Sequence, residues 1–357
     1  MTARFLKPLV LLTLVGLLVA CGGPAGTPTQ PVADNATAGS QPSVNLILGA
    51  YTTPREAYGE IIPLFIAHWK EQTNQDVTFE ESYLGSGAQA RAIIEGFEAD
   101  IAALSLDGDI NKIAKADLIT HDWHTLPYNG MVSTSIVSFA VRKGNPKGIH
   151  DWADLAQPGL EILTPDPKTS GGAQWNILAL YGAALRGHVE GVPANDEAAA
   201  TEFLKAVLKN ITVFDKGARD SITNFESGTG DVAITYENEV LVGQAAGQDY
   251  ELIIPASTIL IENPVSVVDA YVNKHGTREV AEAFVQFLFT KEAQAIFAKH
   301  GLRSLDQDVA EATKDQYPPV TDLFTITDQF GGWSAAGEKY FGDNGIYIQA
   351  ITEIQGQ

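Results

Sequence analysis

Three stretches of this chain follow one pattern, and together they constrain its fold more than any other feature. In each, a strand-like run passes through a turn of small residues into a helical run. Val77 to Glu81 leads through Gly85-Ser86-Gly87 into a segment with Ala90, Ile93, Ile94 and Phe97 at helical spacing. Glu161 to Thr164 leads through Asp166-Pro167-Lys168-Thr169-Ser170-Gly171-Gly172 into a helix-forming run from Ala173 to Leu185. Thr212 to Phe214 leads through Lys216-Gly217-Ala218-Arg219-Asp220-Ser221 into a shorter helical stretch around Ile222 to Ser227. Repeated strand, turn and helix predicts an α/β fold with mostly parallel sheets and helices on both faces. Ligands in such sheets lie beyond the carboxyl ends of strands, where helices begin.

The turns have a chemistry of their own. The first N–H groups of a helix have no intrahelical partner. Ser170 is placed as an N-cap, and the glycines beside it let a ligand approach the backbone closely. Such a helix start receives anions through dipoles and needs no full positive charge. One Ser-Gly-Gly alone reads as an ordinary capped helix. Three helix starts converging on one point would hold a multiply charged oxyanion, and convergence is what the tertiary fold must supply.

The other elements fit the same plan. Asn45 to Ala50, Asp100 to Leu104, Ser135 to Arg142, Asp231 to Tyr236, Glu251 to Pro255 and Val265 to Asp269 read as strands. Glu56 to Glu71 reads as a helix whose apolar face holds Tyr58, Phe65 and Trp69, a core face rather than a binding platform. Glu237 to Ala246, Arg278 to Phe289 and Lys291 to His300 read as further helices. The ~310 residues after residue 43 exceed what one core usually serves, so two lobes are expected.

Residues 1–20 form a targeting segment: Arg4 and Lys7 are basic, and Leu9 to Ala20 is apolar but short for a membrane span. Leu18-Val19-Ala20-Cys21 resembles a bacterial lipoprotein signal, in which the cysteine carries the lipid. Cys21 is the one cysteine of the chain, so no intrachain disulfide is possible and the fold rests on its core. Residues 21–43, rich in Gly, Pro, Thr, Ala and Ser, read as a flexible tether reaching ~25 Å. The formal charge is −21, and losing Arg4 and Lys7 with the targeting segment takes it to −23. That surface excludes nucleic acid and anionic headgroups as partners. An anionic ligand would have to be held by local dipoles against the long-range field.

The segment from Asp166 to Ala173 resembles the N-P-K-[ST]-S-G-x-A-R signature of the prokaryotic sulfate-binding proteins of ABC transporters. Further likeness runs from Asn45 to about Tyr347. It includes Tyr51 with Arg55-Glu56, Ala67-His68-Trp69-Lys70, Val141-Arg142-Lys143-Gly144-Asn145-Pro146-Lys147, Glu237-Asn238-Glu239 and Phe330-Gly331-Gly332-Trp333. The resemblance implies a type II periplasmic-binding-protein fold of two α/β lobes, 44–134 plus 262–357 and 135–261. Two hinge crossovers are implied near Ser135–Ala140 and Ile259–Val267. It implies that sulfate lies between the lobes, bound by the N–H of Ser86, the hydroxyl and N–H of Ser170, the N–H groups of Gly171 and Gly172, and the N–H of Ala218. Tyr236 stands where the family has a Trp that donates to the anion. Asp220 stands where it usually has Gly, and Asp166 and Gln174 replace the Asn and Arg of the signature.

The resulting expectation is a lipid-anchored, extracytoplasmic, monomeric solute-binding protein. It would need no cofactor or metal and would deliver its anion to a permease driven by a separate ATPase. The alternatives are the same fold selecting thiosulfate or phosphate and, more distantly, an exported serine hydrolase using Ser170. His121-Asp122-Trp123-His124 lacks a third metal ligand in sequence and reads as a surface loop. Glu237-Asn238-Glu239 reads as a solvated helix start.

Overall fold

The computed structural model describes residues 42–356. The targeting segment, Cys21 and nearly all of the tether lie outside the described residues. Among the described residues, ten strands, eight of them in a continuous path, are joined in one sheet: β1 (Val44–Tyr51), β2 (Val77–Leu84), β3 (Ile101–Ala103), β4 (Met131–Arg142), β5 (Ile162–Pro165), β6 (Ile211–Asp215), β7 (Val232–Tyr236), β8 (Tyr250–Ile253), β9 (Ser257–Val267) and β10 (Asp322–Phe324). Their order is β2-β1-β3-β9-β4-β7-β5-β6, with β10 on β9 and β8 on β4.

The path has two halves. β1 pairs in parallel with β2 and β3, and β5 pairs in parallel with β6 and β7, as strand–turn–helix repetition requires. The strands joining the halves break that rule. β9 runs antiparallel to β3 and β4, and β4 runs antiparallel to β7 and β8. Each long strand enters one half from the other, so it runs counter to the strands it meets. β4 changes partner between Ile136, which pairs with β9, and Val137, which pairs with β7. β9 pairs with β10 through Ile259, with β4 from Leu260 to Pro264, and with β3 from Val265. These exchanges fall inside the two segments expected to be crossovers.

The helices that precede β8 pack around the sheet: α1 (Arg55–Thr73), α2 (Ser86–Ile94), α3 (Asp107–Lys115), α4 (Gly171–Leu185), α5 (Glu197–Leu208), α6 (Ala218–Glu226) and α7 (Glu237–Ala245). In the first half, Tyr58, Phe65 and Trp69 of α1 are buried against β1, Phe284 and Phe297, so that aromatic face is core. α4 is apolar around nearly its whole girth, because it is covered on all sides. Part of its cover is the C-terminal stretch. Trp333 packs edge-on to Trp175 at 4.5 Å, and Tyr340 edge-on to Tyr181 at 5.1 Å. Residues 262–357, expected as part of one lobe, divide between two cores: Val265 to Leu302 pack with β1 and α1, whereas Phe324, Ile326, Trp333, Tyr340 and Tyr347 belong to the core around α4 and α5. Among the described residues no helix is long and apolar enough to cross a membrane.

Candidate functional site

α2, α4 and α6 each begin at the carboxyl end of a strand, and their three first turns meet. A Cβ on Gly85 would lie 2.6 Å from the carbonyl oxygens of both Thr169 and Lys216, so only glycine fits there. A Cβ on Gly217 would lie 3.7 Å from Gly85 Cα, and one on Gly172 would lie 3.4 Å from Ala218 Cβ. Thr169 Oγ1 donates to the Lys216 carbonyl at 2.9 Å, and Ala88 N–H at the start of α2 donates to the Thr169 carbonyl at 3.0 Å. Ser86, Ser170, Ala218 and Tyr236 are at most 4% exposed.

The free donors can be counted amide by amide. Gly85 and Gly217, the N-caps of α2 and α6, provide no side-chain cap. Ser170 caps α4, its Oγ accepting from Ala173 N–H at 3.3 Å. Among the described residues, the N–H groups of Ser86, Gly171, Gly172 and Ala218 donate to no protein acceptor. Four of the unpartnered amides at the three helix starts, those of Ser86, Gly171, Gly172 and Ala218, thus belong to buried residues where the turns meet, each at the positive end of a helix dipole. One expectation needs correction. The Ser170 N–H donates to the Asp166 carbonyl at 2.9 Å, closing the turn, so it is not a free donor. The Ser170 hydroxyl keeps its hydrogen available.

Residues 46–303 match the family model of the bacterial extracellular solute-binding proteins. The chain belongs to this family. A sulfate-binding protein of Synechococcus elongatus is 42% identical over 356 residues, covering 99% of this chain and 97% of the relative. A thiosulfate-binding protein of Pseudomonas aeruginosa is 35% identical over 318 residues, covering 88% and 93%. Among solved structures, the sulfate-binding protein SubI from Mycobacterium tuberculosis superposes with a TM-score of 0.76 at 35% identity, covering 84% of this chain and 99% of that one. The fold is the type II fold of periplasmic binding proteins.

Around the amides, this solute-binding protein places several residues that carry no local sequence signal. Ser105, just past β3, donates its N–H to Ser86 Oγ at 3.0 Å, and its hydroxyl lies 2.7 Å from Tyr236 Oη. Asp109 on α3 is fully buried, and accepts from Ser86 Oγ at 2.6 Å and Lys112 Nζ at 2.7 Å. The Tyr236 ring stands against the Gly172 backbone, 2.7 Å from where a Cβ would be. Burial holds the Tyr236 hydroxyl well above the ordinary phenol pKa, so it keeps its proton. Asp220 is exposed, with its carboxylate folded over Gly217. Sequence reasoning misses Ser105 and Asp109 because neither lies in a small-residue turn. Their one legible cue is position beyond the end of a strand.

Arg219, next to Ala218, reaches residues from both halves of the strand path. Its Nε donates to Glu239 Oε2 at 2.6 Å, and its Nη2 donates to Glu56 Oε2 at 2.9 Å and to the Thr53 carbonyl at 3.3 Å. Burial opposes its charge, but Glu239 and Glu56 outweigh burial and hold its pKa above the ordinary value. Burial acts to raise the Glu56 pKa, yet the Arg219 hydrogen bond and charge bring it below the usual carboxylate range. Burial raises that of Glu239 despite Arg219. The expectation that Glu237-Asn238-Glu239 is a solvated helix start is wrong. All three are buried, and Glu237 is paired with Arg303 at 2.7 and 2.9 Å. The reason is tertiary: α7 begins inside the fold, where two distant arginines meet it. His121 Nδ1 lies 2.7 Å from Asp269. Among the described residues no group of three His, Cys, Asp or Glu could hold a metal ion.

Proposed function

We propose that this protein captures sulfate in its interlobe cleft and presents it to an ABC-transporter permease whose energy comes from a separate ATPase. The carrying observation is the burial of four unpartnered amides, from Ser86, Gly171, Gly172 and Ala218, at three converging helix starts. The Ser170 hydroxyl and the Ser105–Tyr236 hydroxyl pair complete the donor set. Sulfate has no proton at neutral pH and accepts hydrogen bonds only, so a wall of donors satisfies it. Hydrogenphosphate brings a donor, and leaving that unpaired costs ~1–3 kcal/mol.

The protein performs no chemistry in this reading, in keeping with relatives named as binding proteins. Ser86 Oγ donates to Asp109 and Ser170 Oγ accepts from Ala173, and neither hydroxyl is bonded to a histidine among the described residues. That weighs against a serine hydrolase. Thiosulfate is the second reading, favoured by the thiosulfate-binding relative. The lobes divide as 44–134 with 262 to about 305, against 135–261 with the C-terminal stretch, and motion occurs where β4 and β9 exchange partners. Cys21 carries the lipid and holds the protein as a monomer at the outer face of a membrane.

Calorimetric titration with sulfate, thiosulfate and phosphate at equal ionic strength tests the ligand. Sulfate or thiosulfate should bind more tightly than phosphate near neutral pH, and the reverse order would overturn the assignment. Cys21→Ser should release the protein from membranes and leave anion affinity unchanged. Retention on membranes would remove the anchor from the reading.

A further inference from the structure

Ser105 is 1% exposed, and its polar groups are held by partners from both halves of the fold. Its N–H is bonded to Ser86, and its carbonyl accepts from Trp175 Nε1 at 2.9 Å and Asn263 Nδ2 at 3.2 Å. Its hydroxyl meets the Tyr236 phenol at 2.7 Å. A Cβ on Gly171 would stand 2.7 Å from Ser105 Oγ, and one on Gly172 equally close to the Tyr236 ring. The hydroxyl pair therefore backs onto the two glycines whose amides are unpartnered. Among the described residues, neither hydroxyl has another side-chain or backbone partner.

Two hydroxyls in mutual hydrogen bond place one hydrogen between their oxygens and direct the other elsewhere. The outer hydrogen belongs to Tyr236 when Ser105 donates, and to Ser105 when Tyr236 donates. The oxygen whose hydrogen lies inside the pair still has lone pairs to accept with. An indole N–H at the same place would donate only.

We propose that Ser105 is a specificity-determining residue of the cleft, forming with Tyr236 a two-hydroxyl relay that offers a tetrahedral oxyanion both a donor and an acceptor. This rests on the oxyanion reading of the site. Toward a fully deprotonated dianion such as sulfate, the outer hydroxyl donates. Toward hydrogenphosphate, the ligand P–OH donates to the inner hydroxyl, the inner hydroxyl donates to the outer, and the outer donates back to a second ligand oxygen. Each of the two hydroxyl oxygens gives one hydrogen and accepts one, while one ligand oxygen gives a hydrogen and the other accepts one. The relay softens the cleft's discrimination against protonated anions while the amides keep sulfate preferred. The carboxylates nearby do not offer this acceptor: Asp109 is engaged by Ser86 and Lys112, and Asp220 is exposed over Gly217.

The test is calorimetry on the full chain in detergent at pH 8, with sulfate and with inorganic phosphate, for wild type, Ser105→Ala and Ser105→Thr. Ser105→Ala should weaken phosphate binding about tenfold and sulfate no more than about threefold, because Tyr236 still donates. Ser105→Thr, which keeps the hydroxyl, should restore the wild-type ratio of the two affinities. Equal losses for both anions, or no change in either, would make Ser105 a packing residue and overturn the relay alone. Wild type that binds sulfate but shows no phosphate binding at millimolar concentration would also overturn the relay alone. Wild type that binds neither anion would overturn the relay and the sulfate reading together.

Discussion

Ala218 and Arg219 are neighbours at the start of α6, and they serve two regions of opposite character. Ala218 belongs to a wall of neutral donors, where amides and hydroxyls face a buried place. Arg219 belongs to a charged cluster, where one guanidinium is divided between Glu56 of the first half and Glu239 of the second. A full charge at the anion site would need a counter-charge whenever the anion left, and a wall of dipoles needs none. The arginine is instead engaged by carboxylates and ties the two halves together. In a protein with a formal charge of −21, this separation lets neutral dipoles attract an anion locally.

The strongest way to break the comparison is Arg219→Met. It would leave the buried Glu239 without its partner, a loss of about 3–5 kcal/mol in unfolding free energy. Urea denaturation measures it, and a loss below about 1 kcal/mol would show that the cluster is not holding the fold. Ser170→Ala acts on the neutral wall alone. It removes one donor to an anion, so sulfate affinity should fall by ~1.5–3 kcal/mol, or at least about tenfold. The lost cap should cost only ~0.5–2 kcal/mol of stability, and unchanged sulfate affinity would place the ligand elsewhere.

Gly85→Ala removes no polar group but sets a methyl against the backbone carbonyls of Thr169 and Lys216. It should weaken sulfate by about 1–3 kcal/mol, the cost of overpacking, while the melting temperature without sulfate changes little. Full affinity in that variant would mean that closure does not bring these turns together in solution.

The smallest effect concerns pH. The Glu56 pKa is lowered in the closed form, so its contribution to closure is complete above its ordinary value of about 4.3 and is lost as pH falls through the lowered value. Sulfate remains a dianion over most of that range. Affinity should decline below about pH 4, and Glu56→Gln should abolish that decline. A decline beginning near pH 6 would implicate a different group.

Much of the wall is legible in the residues alone. Caps, glycine turns and helix starts are decided by contacts within about four residues, so Ser86, Ser170, Gly171, Gly172 and Ala218 stand out from their local pattern. Even there, resemblance assigns the Ser170 N–H to the ligand, although its own turn engages it through Asp166. The charged cluster is not legible, and Glu237 and Glu239 read as solvated because a carboxylate at a helix start usually is.

The sequence by itself determined the α/β alternation, the three helix starts, the aromatic face of α1 and the family likeness, because each is written in short-range spacing. Only the tertiary structure decided that the crossovers run antiparallel, that the C-terminal aromatics cover α4, that Ser105 meets Tyr236 and that Arg219 meets Glu56. Ser105 and Tyr236 are 131 positions apart, and Arg219 and Glu56 are 163 apart. Partners so far apart are selected by how the chain returns on itself to bury its core, and local residue patterns carry no record of that return.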